Sequence, residues 1–126
     1  MRRSTALLNH GDWDGLFDLY DPEVEFRDLR SAVDTPQVLS GVETVRSLLT
    51  AWSEAWEDFG AEVYDYIDAD SYVICDTRWY GTGRESGVAI DVRQADVYEL
   101  RNGKVIRVTL GYPSTDKALA DLGLEE

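Results

Sequence analysis

The hydrophobic pattern changes its period at Gly60, and this change constrains the fold more than any other feature of the chain. Before Gly60, apolar residues recur every three or four positions, which is typical of an amphipathic helix. This helix is predicted over residues 42–59, behind a Ser40-to-Glu43 spacing that is typical of a capping box. After Gly60, apolar and polar residues alternate, which is typical of strands. The apolar positions of the helix are Val42, Val45, Leu48, Leu49, Trp52, Trp56 and Phe59.

Four strand-like runs fill most of the chain after the long helix. They are predicted at 61–68, 71–80, 87–100 and 104–112, and Gly-, Asp- or Asn-containing turns separate them. A last helix is predicted to begin after a Ser114 cap and to end at Gly123.

The segment before the long helix contains shorter elements. Residues 3–9 are weakly helical, and Asp12 is predicted to cap a short helix over 13–19. A strand is predicted at 23–28, and residues 30–39 are predicted to form a loop because they lack periodicity. With no repeat and no linker, residues 1–126 are interpreted as a single α+β domain with helices on one face of a bent antiparallel sheet.

Charge and composition exclude several classes of function. Twelve basic residues against 25 acidic residues give a net charge of −13, which disfavours binding to nucleic acid or to anionic membranes. No apolar run is long enough to predict a membrane span. A lone cysteine, Cys75, cannot form an internal disulfide, so a cytoplasmic location is expected. The single histidine, His10, follows a helix, and no metal site is expected.

Asp96 raises the main question about function. A period of two places Asp96 on the same face of its strand as Gln94, Tyr98 and Leu100, and places Ala95 on the other face. A carboxylate beside a leucine that should be buried indicates either a wrong assignment of faces or a functional group.

Four segments resemble, in this order, the nuclear-transport-factor-2-like superfamily. They are NHGDWDGLFDLYDPEVEFRD, SGVETVRSLLTAW, RNGKVIRV and GYPSTDKALADLGL. Within the superfamily the chain is similar to the SnoaL-like group, which also resembles ketosteroid isomerases. The resemblance implies a cone-shaped curved antiparallel sheet wrapped around helices, a cystatin-like α+β roll, with a pocket at its open end. It also implies a homodimer formed through the outer sheet face, where Ala95, Val97 and Thr109 are expected.

The resemblance to ketosteroid isomerases also implies roles for particular residues. Asp28 falls at the position of their general base, and Asp96 falls at the position of a protonated aspartate that donates a hydrogen bond to the developing oxyanion. Tyr98 is expected to supply a supporting hydroxyl. The position of the oxyanion tyrosine of that family falls near Ser4 in this chain.

An apolar pocket with two carboxyl groups supports three interpretations. The chain is an acid/base enzyme without a cofactor, of isomerase, cyclase or hydrolase type, that acts on an apolar carbonyl or polycyclic compound, or it is a non-catalytic module that binds such a ligand, or a dimerisation domain with a filled pocket. In the first two, the ligand is expected to meet five apolar side chains. These are Phe17, Phe26, Leu49, Trp52 and Trp56.

Overall fold

The computed structural model describes residues 12–29 and 38–123, and they form three helices and one curved, unclosed sheet of six strands. The helices are α1 (Trp13–Phe17), α2 (Val42–Ala55) and α3 (Thr115–Asp121). The strands are β1 (Tyr20–Asp28), β2 (Val38–Ser40), β3 (Trp56–Ala69), β4 (Tyr72–Gly83), β5 (Ala89–Arg101) and β6 (Lys104–Tyr112). The α+β cone expected from the sequence is therefore confirmed.

The strand order is β2-β1-β6-β5-β4-β3, and one pair of neighbours departs from the prediction of an antiparallel sheet. β3 pairs with β4, β4 with β5 and β5 with β6, and each of these pairs is antiparallel, as the short turns between them require. β1 runs parallel to β6, so the sheet is mixed. No short turn joins β1 to β6, so their direction was not fixed by local sequence.

The core is divided between the two faces of the sheet. On one face, α1 and α2 pack against β1, β5 and β6, with Val24 and Val45 fully buried between them. On the other face, α3 packs against β4, β5 and β6 around Ile74 and Ala118. Residues of β5 contribute to both clusters, because alternate side chains of a strand point to opposite faces.

The expectation that Ala95 and Val97 form an exposed apolar surface is wrong. Both side chains belong to the cluster beneath α3, and they are almost completely buried within one chain. Thr109, which pairs with Val97, is also buried. These three residues therefore give no exposed surface for a second copy, and the homodimer stays a prediction.

Tertiary pairing shortens the long helix predicted from the hydrophobic period. The helix ends at Ala55, and Trp56 is extended because it pairs with Gly83 at the start of β3. The predicted capping box is also absent from this helix. Gly41, with a φ of 96°, is the N-cap, and Ser40 is the last residue of β2.

The other two caps are confirmed. The Asp12 carboxylate accepts a hydrogen bond from the Gly15 amide, and the Ser114 hydroxyl accepts one from the Lys117 amide. The predicted helix over 3–9, Ser4, His10 and the first part of the predicted 30–39 loop lie outside the described residues. In the described residues, no helix is long and apolar enough to span a membrane.

The burial of Val24 predicts a large difference between two valine truncations in strands. Val24 is 0% exposed in β1, and Val38 is 53% exposed in β2. Val24→Ala should lower the free energy of unfolding by about 2 kcal/mol, because it removes two buried methyl groups and leaves a cavity. Val38→Ala should change it by less than about 0.5 kcal/mol. Urea unfolding of both variants measures the difference, and equal losses would contradict the described core.

Candidate functional site

A cavity of about 250 Å³ lies between the end of α2 and the inner face of the sheet. Its wall is mostly aromatic and aliphatic, and it contains one carboxylate and one carboxamide. The residues that line it are Asp28, Trp52, Trp56, Phe59, Trp79, Ile90, Val92, Gln94 and Leu110. Such a wall suits a ligand that is apolar over most of its surface and polar at one place.

The buried carboxylate of Asp96 lies behind this wall. Its Oδ2 accepts a hydrogen bond from Trp79 Nε1 at 2.7 Å, and its Oδ1 accepts one from Gln94 Nε2 at 2.6 Å. Oδ1 also accepts a hydrogen bond from the Gly111 backbone amide at 3.1 Å. Asp96 is 0% exposed, so its hydrogen bonds are made inside the protein. The predicted role of Asp96 as a donor to the ligand stays a prediction, and the structure gives both of its oxygens donors from the protein.

A bulge in β6 supplies the third donor. Ala95 pairs with Tyr112 and Val97 pairs with Thr109, so one residue of β5 faces two residues of β6, which are Leu110 and Gly111. Gly111 has a φ of 99°, a conformation that glycine adopts at little cost. The bulge directs the Gly111 amide to the Asp96 side chain.

Burial raises the pKa of Asp96 from 3.8 to about 6. The hydrogen bonds from Trp79, Gln94 and Gly111 lower this pKa, and the negative charge of Asp28 raises it. The Asp96 carboxylate in turn raises the pKa values of Tyr20 and Tyr98, in addition to the larger effect of their burial.

The parallel pairing of β1 with β6 brings Asp28 to the same corner of the molecule as Asp96. Asp28 pairs with Leu110, and the next residue, Leu29, donates its amide to the Leu110 carbonyl at 2.8 Å. Gly111 follows directly and bonds to Asp96. The end of β1 and the bulge of β6 therefore place one carboxylate in the cavity wall and a second behind it.

The structure divides the residues that the sequence predicted for the site into two groups. Asp28, Trp52 and Trp56 line the cavity. Phe17, Phe26 and Leu49 belong to the core cluster beneath it, and Tyr98 packs against that cluster. The Phe26 and Trp52 rings pack edge to face, with the ring centroids 6.2 Å apart. The roles predicted for all of these residues in binding or catalysis stay predictions.

Sequence reasoning did not select several of the lining residues, including Trp79, Gln94 and Phe59. The alternation that contains Asp96 extends back through Gln94 to Val92 and Ile90, so it carried a signal for part of the wall. Trp79 joins the wall because β4 pairs it with Val92, and this register cannot be read from local sequence. Among the described residues, no group of three or more His, Cys, Asp or Glu side chains is placed to hold a metal ion.

Comparisons with known proteins identify a family and a fold. The model of the SnoaL-like domain matches residues 1–108. Among curated proteins, no sequence matches this chain. The similarities to solved structures described next are all below 25% identity, so they show the fold alone.

Three solved structures illustrate this fold. A hypothetical protein with a ketosteroid isomerase-like fold from Catenulispora acidiphila, in complex with trimethylamine, is 16% identical with a TM-score of 0.73, and the match covers 96% of this chain and 89% of that chain. An NTF2-like protein of unknown function from Exiguobacterium is 16% identical with a TM-score of 0.73, covering 90% and 97%. A Mycobacterium tuberculosis protein in complex with estradiol-17beta-hemisuccinate is 16% identical with a TM-score of 0.72, covering 90% of each chain.

The raised pKa of Asp96 predicts a pH dependence of stability with a defined sign. The folded protein holds the Asp96 proton more tightly than the unfolded chain does, so this group stabilises the fold below about pH 4, and the contribution is lost as the pH rises through about 6. The free energy of unfolding, measured relative to Asp96→Asn, should increase by about 2–3 kcal/mol between about pH 7 and about pH 4. Urea unfolding of both proteins across this range gives the difference, and the opposite slope would contradict the assignment.

The bulge predicts that Gly111→Ala costs more than the same change at another glycine with positive φ. Gly87 has a φ of 70°, and a Cβ built on it meets nothing within 4 Å. Gly87→Ala should therefore show only the backbone strain, about 1 kcal/mol. Gly111→Ala should add to that strain a weakened hydrogen bond to a buried carboxylate, about 1–2 kcal/mol more. Thermal or urea unfolding of the two variants tests the difference.

Proposed function

The chain belongs to the SnoaL-like domain family, and on that basis we propose that it is a small-molecule-binding enzyme in which Asp28 removes a proton next to the carbonyl group of an apolar ligand. The observation that carries this proposal is the composition of the cavity wall. Asp28 is the one ionisable side chain among the described residues that line it. The ligand class follows from the rest of the wall, and the role of Asp28 follows from its carboxylate.

The wall favours a flat or polycyclic apolar ligand. Three tryptophans and Phe59 provide large rigid surfaces, and Ile90, Val92 and Leu110 provide aliphatic ones. Two proteins of the same fold were solved with small organic molecules, trimethylamine in one case and estradiol-17beta-hemisuccinate in the other. These complexes support the use of this scaffold for small molecules.

The chemistry needs only a base and a carbonyl group. A carboxylate at the edge of an apolar cavity is well placed to act as a general base, because the ligand excludes water from the reacting carbon. The proton moves from the carbon next to the carbonyl to an Asp28 oxygen, the electron pair of the broken C–H bond forms a carbon–carbon double bond, and the π pair of the carbonyl moves to its oxygen to give an enolate. When the proton on Asp28 is replaced by a deuteron from heavy water before the carbon is reprotonated, the result is exchange. Where a carbon–carbon double bond lies next to the enolate, delivery of the proton to its far carbon gives isomerisation.

Proton exchange in heavy water tests the proposal directly. The substrates are apolar ketones, including Prodan, a neutral naphthalene ketone whose fluorescence reports the polarity around it. The wild-type protein should accelerate deuterium incorporation next to the carbonyl, and Asp28→Asn should reduce that rate roughly 100-fold or more. Mass spectrometry of the recovered ketone measures the rate.

A second aspartate provides the control. Asp70 is exposed in the turn between β3 and β4 and has a φ of 57°, a conformation that asparagine tolerates, so Asp70→Asn should retain the wild-type rate. Prodan binding without any exchange would favour the second candidate, a non-catalytic ligand-binding module that uses the same cavity. Equal exchange by wild-type protein and Asp28→Asn would remove Asp28 from the mechanism.

A further inference from the structure

Asp96 is fully buried, yet it holds two side chains that form the wall of the cavity. We propose that Asp96 is a positioning residue that fixes the indole of Trp79 and the carboxamide of Gln94, and that it sets in this way the shape that a ligand meets without contacting the ligand itself. The inference rests on the proposed function only in assuming that the ligand occupies this cavity.

The hydrogen-bond geometry supports the positioning role. Trp79 Nε1 bonds to one carboxylate oxygen of Asp96 and Gln94 Nε2 bonds to the other, at 2.7 Å and 2.6 Å. Both donors belong to side chains that line the cavity, whereas Asp96 is 0% exposed. An ionised carboxylate only accepts hydrogen bonds, so it fits a position where three N–H groups converge.

The backbone makes this arrangement rigid. The third donor is the Gly111 amide, at 3.1 Å, and it is held by the bulge of β6. Asp96 is thus fixed to β6 on one side, and it orients a side chain of β4 and a side chain of its own strand on the other. A hydrogen bond of this kind restricts an indole ring more strongly than apolar packing does, because it selects one edge of the ring.

The effect on the cavity extends beyond the two direct partners. The Trp79 ring stacks on Phe59, with the ring centroids 5.7 Å apart and the planes at 29°. Phe59 also lines the cavity. Rotation of the Trp79 indole would therefore disturb a third part of the wall, and loss of the Asp96 carboxylate should change the binding site although Asp96 does not reach it.

The charge state of Asp96 should control the same wall. In the part of the chain that the structure describes, the titratable groups that interact with it electrostatically are Asp28 and Tyr20 of β1, Cys75 of β4 and Tyr98 of β5. Protonation of Asp96 removes negative charge from the site where Trp79, Gln94 and Gly111 donate, and its pKa is about 6. The positions of the Trp79 and Gln94 side chains in the wall should therefore change as the pH passes through about 6.

Asp96→Asn tests the role with almost no change in volume. The two donors on Oδ1 and the one on Oδ2 mean that the new amide group must face at least one N–H donor in either orientation. In the wild-type protein, the indole N–H resonance of Trp79, identified by its absence in Trp79→Phe, should lie downfield and should titrate near pH 6. In Asp96→Asn it should move upfield and lose the titration, while the other indole resonances keep their positions. An unchanged Trp79 resonance would overturn the proposal.

The affinity for Prodan then tests whether the positions of the wall side chains affect ligand binding. Asp96→Asn should weaken Prodan binding roughly tenfold at neutral pH, which is the scale of one lost charge-assisted hydrogen bond. Asp70→Asn should bind as the wild-type protein does. A shifted Trp79 resonance with unchanged affinity would overturn the claim that Asp96 sets the shape met by the ligand. A wild-type protein that shows the expected resonance and does not bind Prodan would count against the proposed function and not against the positioning of the wall.

The single variant Trp79→Phe covers the case in which Asp96→Asn does not fold. Trp79→Phe removes the N–H donor and keeps an aromatic ring, so it should also weaken Prodan binding and should reduce the pH dependence of the affinity near pH 6. Where both single variants fold, the double variant should bind Prodan little more weakly than the single variant with the lower affinity, because both changes remove the hydrogen bond between Trp79 and Asp96. Fully additive losses, or a pH dependence that Trp79→Phe leaves unchanged, would overturn the proposal.

Discussion

The buried carboxylate of Asp96 is the interaction on which the arrangement of the site depends. Burial of a charge is costly unless its oxygens receive hydrogen bonds, and Asp96 receives three. The donors come from β4, β5 and β6, so this single side chain ties together three neighbouring strands at the cavity. The remaining cost appears as a raised pKa, since desolvation outweighs the three hydrogen bonds. Within residues 12–29 and 38–123, Asp96 is the one charged side chain that is buried, and it lies next to the cavity.

The two faces of the sheet have different roles. α2 and the aromatic side chains on its side enclose a cavity of about 250 Å³, whereas α3 closes the other face over Ile74, Ala95 and Val97. The Tyr112 hydroxyl donates a hydrogen bond of 2.6 Å to Asp121, which holds α3 against the sheet. On the same face, beyond α3, Arg78 forms a bidentate ion pair with Asp91, and Arg93 forms one with Asp76. Exposed ion pairs of this kind add little to stability, so the apolar cluster under α3 is what holds this side together.

Membership of the SnoaL-like family fixes the scaffold and leaves the chemistry to particular residues, because one fold supports many reactions. In this chain the candidate site contains two carboxylates, Asp28 in the cavity wall and Asp96 behind it. They have different environments: one borders the cavity, and the other is enclosed by donors. This difference is the physical reason why Asp28 is proposed as the base and Asp96 as the residue that positions the wall.

Local sequence determined the elements, because hydrophobic period, caps and turn residues act over a few positions. The Asp12 and Ser114 caps and the strand over 104–112 could all be predicted, as could the inward face of Asp96, whereas the predicted change from helix to strand at Gly60 was placed about one helical turn too late. Only the tertiary structure decided which strands meet and in which register. It ended α2 at Ala55 by pairing Trp56 with Gly83, placed β1 parallel to β6, and brought Trp79 and Gly111 to the Asp96 carboxylate. Those contacts join residues that are distant in the chain, and their free energy depends on the packing of the whole sheet.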